Sequence, residues 1–191
     1  MKQGSLLTLA LAAFAVLGFL SYRLVTGPEV RDTLPAFVLA TTDGGEADIR
    51  DFLGRPMVLN FWATWCPPCL REMPLLVDLH RRHGSEIQVV GVAIDRLEPV
   101  LEFMQRLEVE YPVLVGEQDA MLAAGQFGDA FIGLPFTVFV AADGRLLGVH
   151  TGEIHAADMV PIEAVLLELA RGELDGPEAS RRLASAGEHT R

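Results

Sequence analysis

Cys66 and Cys69 are the only cysteines of the 191-residue chain, and they stand in C-x-x-C spacing. One pair makes no disulfide framework, which would need more cysteines in a smaller domain. Three chemistries remain: a redox pair, half a metal site, or a haem attachment point. Haem attachment requires a histidine directly after the second cysteine, and Leu70 stands there. Zinc would require two further ligands. His80 and His83 lie on the segment that follows the pair, and at 1.5 Å per helical residue His80 is about 16 Å from Cys69. Both are therefore expected to be solvated, and His150, His155 and His189 show no ligand spacing.

A thiol that acts as a nucleophile must be accessible and partly ionised, and a helix N-terminus favours the anion. The neighbouring sequence supplies such a place. Met57 to Trp62 is an apolar run broken only by Asn60, as in a strand buried on both faces. Pro67 and Pro68 suit the first turn of a helix, and Leu70, Met73, Leu76, Val77 and Leu79 continue it to His83, with Gly84 as its stop. Cys66 falls where that helix begins; Cys69, three residues on, points inward. Further along, Ile87–Ile94 reads as a buried strand, Glu98–Leu107 as a helix, Val113–Val115 as a short strand and Met121–Phe127 as a short helix. Thr137–Val140 and Leu146–His150 flank Asp143-Gly144, a hairpin signal. Ala156–Ala170 is the last helix, stopped by Gly172. Before the cysteine pair, Ala36–Ala40 reads as an edge strand, Thr42–Gly45 as a turn and Asp48–Leu53 as a helical turn. Parallel strands with helical crossovers, joined to an antiparallel hairpin, predict an α/β domain with a central mixed sheet.

The run Asn60-Phe61-Trp62-Ala63-Thr64-Trp65-Cys66-Pro67-Pro68-Cys69, with Pro74 five residues beyond, closely resembles the thioredoxin superfamily, and within it the TlpA/ResA-like exported disulfide reductases. The resemblance covers residues 34–172. It implies a thioredoxin-like sheet flanked by helices, a redox-active Cys66–Cys69 disulfide, Cys66 as the attacking thiol and Cys69 as the resolving one. Pro74 would kink the helix. Where thioredoxins carry a buried aspartate, this chain has Asn60, which cannot exchange a proton. Glu72, placed like the glutamate of the TlpA/ResA group, shares a helix face with Cys69. Partly desolvated there, it is expected to move a proton to or from that thiol. Gly133-Leu134-Pro135-Phe136-Thr137 matches a second landmark, in which the proline is cis and lies against the cysteines. The residue before it pairs with extended substrate, so Leu134 and Pro135 are expected to bind substrate. Trp65 is expected to shield the site and to bind substrate with them, and Trp62 to belong to the core. Neither Pro67 nor Pro68 has an N–H to offer a thiolate, and no histidine stands between the cysteines; both facts point to a reducing pair. Phe136 replaces the polar residue often found in reductases dedicated to cytochrome c maturation, so a role there and one in metal-site assembly are both left open.

Lys2 precedes an apolar stretch from Leu6 to Tyr22, between a signal-peptide core and a span of about 20 residues in length. No persuasive small-x-small cleavage site follows it. Residues 1–25 are expected to be an uncleaved transmembrane anchor, with a cleaved signal peptide as the alternative. Residues 26–33 read as a linker, 34–172 as the domain, and 173–191 as a polar tail with one helical turn near Leu183. The usual behaviour of short N-terminal anchors places the domain on the periplasmic side of a bacterial inner membrane. A formal charge of −11 argues against nucleic acid as a partner. Expected partners are disulfide-containing exported proteins and, as the resemblance implies, a membrane-embedded thiol donor; no cofactor or metal is expected. The rival readings are a copper-binding chaperone on the same fold, which usually carries C-x-x-x-C, and a thiol peroxidase, whose cysteine follows Pro and Thr in a loop.

Overall fold

The computed structural model describes residues 32–186. In chain order the strands are β1 (Val38–Thr41), β2 (Glu46–Asp48), β3 (Met57–Trp62), β4 (Gln88–Ile94), β5 (Val113–Gly116), β6 (Phe136–Val140) and β7 (Leu146–Thr151). The helices are α1 (Pro67–His83), α2 (Leu97–Leu107), α3 (Gln118–Gly125), α4 (Ala156–Ala170) and α5 (Gly176–Ala186). One sheet runs β2-β1-β5-β4-β3-β6-β7. β3, β4 and β5 are parallel neighbours, with α1 and α2 as the crossovers; β6 runs antiparallel to β3, and β1 antiparallel to β5. Every residue of β3 and β4 is buried, which is why their sequences show no polar alternation.

Side chains on a strand alternate between faces. Val58 and Trp62 pack with Met73, Leu76 and Leu79 of α1 and with Ile162, Val165 and Leu166 of α4. Met57, Leu59 and Phe61 enter the opposite core with Ala120, Ala123 and Ala124 of α3, where Phe61 meets Phe127 and Phe136 at centroid distances of 5.7 and 5.9 Å. The alternation puts Asn60 on the α1 side, directly opposite Thr137 of β6. A carboxamide is thereby committed to the centre of an apolar layer.

The mixed sheet and its flanking helices agree with the sequence expectation, and four local features differ from it. The strand at Val38–Thr41 is not an edge strand, since β2 pairs with its outer side. The end of the expected linker is fixed to the hairpin: Leu146 N–H donates to Asp32 O at 2.8 Å, and Thr33 bridges Arg145. His80 and His83 are half-buried, not solvated; the His80 ring lies edge-on to Tyr111 and His83 Nε2 is 3.0 Å from Glu163 Oε1. Gly176–Ala186 form α5, a full helix in place of the expected polar tail with one helical turn near Leu183. The expected anchor, residues 1–25, lies outside the described residues, among which no helix is long and apolar enough to cross a membrane.

Ala179, Leu183 and Ala186 of α5 recur at helical spacing and are all buried in the α1-side core. Arg182 donates to Glu168 of α4. Replacing Leu183 with alanine should therefore lower the unfolding free energy by about 2 kcal/mol, read from urea denaturation. A change near zero would show that α5 contributes no core.

Candidate active site

The chain leaves β3 at Trp62 and enters α1 within four residues. Asp95, just past the end of β4, holds this crossing: Thr64 N–H and Thr64 Oγ1 both donate to Asp95 Oδ2, at 3.0 and 2.5 Å. Cys66 is the N-cap of α1 in extended conformation, with Pro67 and Pro68 as the first two helical residues. Prolines fit there because the missing N–H groups would have no helical acceptor. Their cost to the sulfur is direct, because the first free N–H of the helix is that of Cys69, which donates to Cys66 Sγ at 3.3 Å. The cysteines are joined in a disulfide with their Cα atoms 5.3 Å apart. Cys66 keeps 5% of its surface exposed, and Cys69 none. An incoming sulfur can therefore reach only Cys66.

Cys66 opens into an apolar groove of about 570 Å³, lined also by Trp65, Pro67, Pro68, Met121, Phe131, Ile132, Gly133 and Leu134. Trp65 and Ile132 are among the most exposed large apolar side chains, at 63 and 80%. Trp65 thus forms one wall of the groove, while Trp62 is wholly buried in the core. The Leu134–Pro135 peptide bond is cis. Pro135 O accepts from Gly152 N–H at 2.9 Å, whereas no backbone hydrogen bond among the described residues uses Leu134.

Glu72 stands one helical turn after Cys69 and is fully buried. Its carboxyl is held from two sides. Asn60 Nδ2 donates to Oε1 at 2.8 Å, and the backbone N–H of Ile154 donates to Oε2 at 2.8 Å. Asn60 Nδ2 also donates to Thr137 Oγ1 at 2.9 Å. Burial raises the Glu72 pKa to about 7; the Ile154 and Asn60 donors oppose that rise, and the charge of Glu153 adds to it. Tyr111, buried nearby with its hydroxyl on Met73 Sδ at 3.3 Å, is pushed upward by burial and by Glu72, and stays neutral.

The cysteine pair, Trp65 and Leu134 are thus brought to one groove, with Pro135 joined to its rim and Glu72 in the core behind. Sequence reasoning missed that Asn60 reaches Glu72, that Thr137 and Ile154 complete the cluster, and that Met121, Phe131 and Ile132 line the groove. The register supplied one usable signal: a polar residue in an all-apolar strand, on the face α1 covers, needs a polar partner on α1.

A family model described as Redoxin matches residues 29–166 of the chain. The thiol-disulfide oxidoreductase ResA of Geobacillus thermodenitrificans is 34% identical over 137 residues, which cover 70% of this chain and 76% of that protein. Among solved structures, a putative thiol:disulfide interchange protein DsbE from Chlorobium tepidum superposes with a TM-score of 0.65 at 25% identity, over 73% of this chain and 96% of that one. A secreted thiol-disulfide isomerase from Corynebacterium glutamicum, at 23% identity and a TM-score of 0.63 over 72% of this chain and 85% of that one, shares the fold.

Proposed function

Since the chain belongs to the Redoxin family and is a thiol–disulfide oxidoreductase of the ResA/DsbE type, we propose that it reduces disulfides of exported partner proteins while tethered to the inner membrane by residues 1–25. The observation that carries the reading is the unequal access to the two sulfurs, 5% for Cys66 and none for Cys69, at the head of an apolar groove. In the reduced enzyme the Cys66 thiolate attacks a substrate disulfide. A Cys66–substrate S–S bond forms, and the other substrate sulfur leaves as a thiolate that takes up a proton. Cys69 then gives its proton to the Glu72 carboxylate and attacks Cys66 Sγ. The mixed disulfide breaks, the second substrate sulfur leaves, and the Cys66–Cys69 disulfide forms. Two electrons pass to the substrate for each turnover.

The direction follows from the cap. With prolines at the first two helical positions, the Cys66 thiolate receives one helical N–H, so its stabilisation is slight and the dithiol gives up electrons readily. The free backbone of Leu134 beside the cis bond offers an extended substrate its pairing edge, and Trp65, Met121 and Ile132 take its apolar side chains. In an oxidising compartment the enzyme's own disulfide must be reduced again, which calls for a membrane-embedded thiol donor. The substrates are disulfides of an apocytochrome or of a metal-site protein, or a broader set.

Cys69→Ser is the test, because it leaves attack intact and removes resolution. Expressed in intact cells, the variant should accumulate mixed disulfides with exported proteins in the membrane fraction, and these should dissolve on adding dithiothreitol. Trapping of cytosolic proteins only, or a purified enzyme whose disulfide is fully reduced by the glutathione couple, would overturn the proposal.

A further inference from the structure

Asn60 is the only asparagine in the chain, and its side chain has one unmatched atom. Nδ2 spends both hydrogens, on Glu72 Oε1 and on Thr137 Oγ1, while Oδ1 is buried and without a hydrogen-bond partner among the described residues. A primary amide carries two donors at one end and two acceptor sites at the other. In the orientation seen, it suits a carboxylate: the anion receives N–H groups from Asn60 and from Ile154. A protonated Glu72 has a different need. Its O–H requires an acceptor, and the two groups that meet the carboxyl are both donors.

A half-turn of the carboxamide about its Cβ–Cγ bond exchanges the two ends. Oδ1 then faces Glu72 and Thr137 and accepts from the O–H of each, filling both acceptor sites, and Nδ2 takes the place of the unmatched atom. One polar atom goes without a partner in either orientation. That cost is common to both, so the proton on Glu72 decides between them.

We propose that the Asn60 side chain reverses with the proton on Glu72, nitrogen toward the carboxylate and oxygen toward the acid. Asn60 is a positioning residue: it acts through Glu72 and serves both halves of the proton transfer to and from Cys69. A fixed donor would favour only the anion and draw the carboxyl's proton affinity away from that of the thiol. The inference rests on the proposed exchange between Glu72 and Cys69. Other ionisable groups around the carboxyl are Glu153, after β7, and Tyr111, ahead of β5. Glu153 is paired with Arg71 and lies 3.6 Å from His155 Nδ1, with its carbonyl 3.3 Å from His150 Nε2. Of these, Glu153 acts on the charge of Glu72, and among the described residues the carboxyl's hydrogen bonds are those from Asn60 and Ile154 alone.

A single asparagine makes the test direct. In the full chain labelled with ¹⁵N-asparagine, the one side-chain amide pair reports on Asn60. Between pH 5 and 9 that pair should move with one midpoint, shared with the Glu72 carboxyl carbon. In Glu72→Gln, the new amide donates to Asn60 Oδ1 and accepts from Ile154 N–H, so the Asn60 signals should stay at their low-pH positions at every pH. An Asn60 pair that stays still while Glu72 titrates, or that rests at its high-pH position in Glu72→Gln, would overturn the reversal. The pH profile of disulfide reduction by the same two proteins separates the layers. If Glu72→Gln leaves that profile unchanged, the proton exchange and the reversal fall together. If the profile shifts while the Asn60 pair does not follow, the reversal alone falls.

Discussion

Serine in place of Cys66 should abolish disulfide exchange, by about 10³-fold or more in an insulin-reduction assay, while the far-ultraviolet circular dichroism stays that of the wild type. The two halves of this expectation have separate causes. Cys66 is the N-cap of α1, with its side chain accepting from the N–H of Cys69. Serine is a preferred residue at that position and makes the same bond with a better acceptor, so the helix start is kept. The chemistry is not kept. A hydroxyl is scarcely ionised at neutral pH, and Cys69 cannot substitute as the attacking group because none of its surface is exposed. A Cys66→Ser enzyme that retained even a tenth of the wild-type rate would remove the basis for placing the reaction at this sulfur.

The second large effect is on stability. Glu72 has a pKa of about 7 in the folded protein against an ordinary value of 4.5, chiefly because it is buried. The unfolded chain therefore loses this proton first as pH rises. Between pH 4.5 and 7 the folded state holds more protons than the unfolded one, so stability falls with pH across that window and levels off above it. A rise from 4.5 to about 7 corresponds to about 3 kcal/mol. The carboxylates held below their ordinary range, among them Asp48, Glu153 and Glu163, titrate at lower pH and affect stability in the opposite sense. Subtracting the unfolding free energies of Glu72→Gln from those of the wild type at each pH isolates the Glu72 contribution. The difference should fall by about 3 kcal/mol from pH 4.5 to pH 8. A flat difference would mean that the folded carboxyl ionises like a solvated one.

Much of the frame was legible because its signals are local. An apolar run such as Met57–Trp62, a pair of prolines, an Asp-Gly between apolar stretches and a C-x-x-C are each read from a few adjacent residues. β2 was not legible, since Glu46, Ala47 and Asp48 are too few to establish a period and become a strand by pairing with β1. α5 reads in the sequence as a single turn near Leu183 because its buried stripe is chiefly two alanines and one leucine, too little apolar bulk to mark a full helix in a polar segment. In the site, the cysteines and Glu72 lie six residues or fewer apart and announce themselves together. The groups that hold Glu72 do not. Thr137 is 77 residues from Asn60, and Ile154 is 82 from Glu72, so only the sheet register and the loop after β7 bring them in.

The depth of Cys69 carries a consequence for fidelity. In the proposed cycle the bond that holds a client ends on the accessible Cys66 and stays open to any thiol that enters the groove, whereas the sulfur that resolves it has no surface of its own and can be neither capped nor bypassed from outside. A client is thus let go from within at a rate fixed by the fold, and surrounding thiols can only shorten its stay.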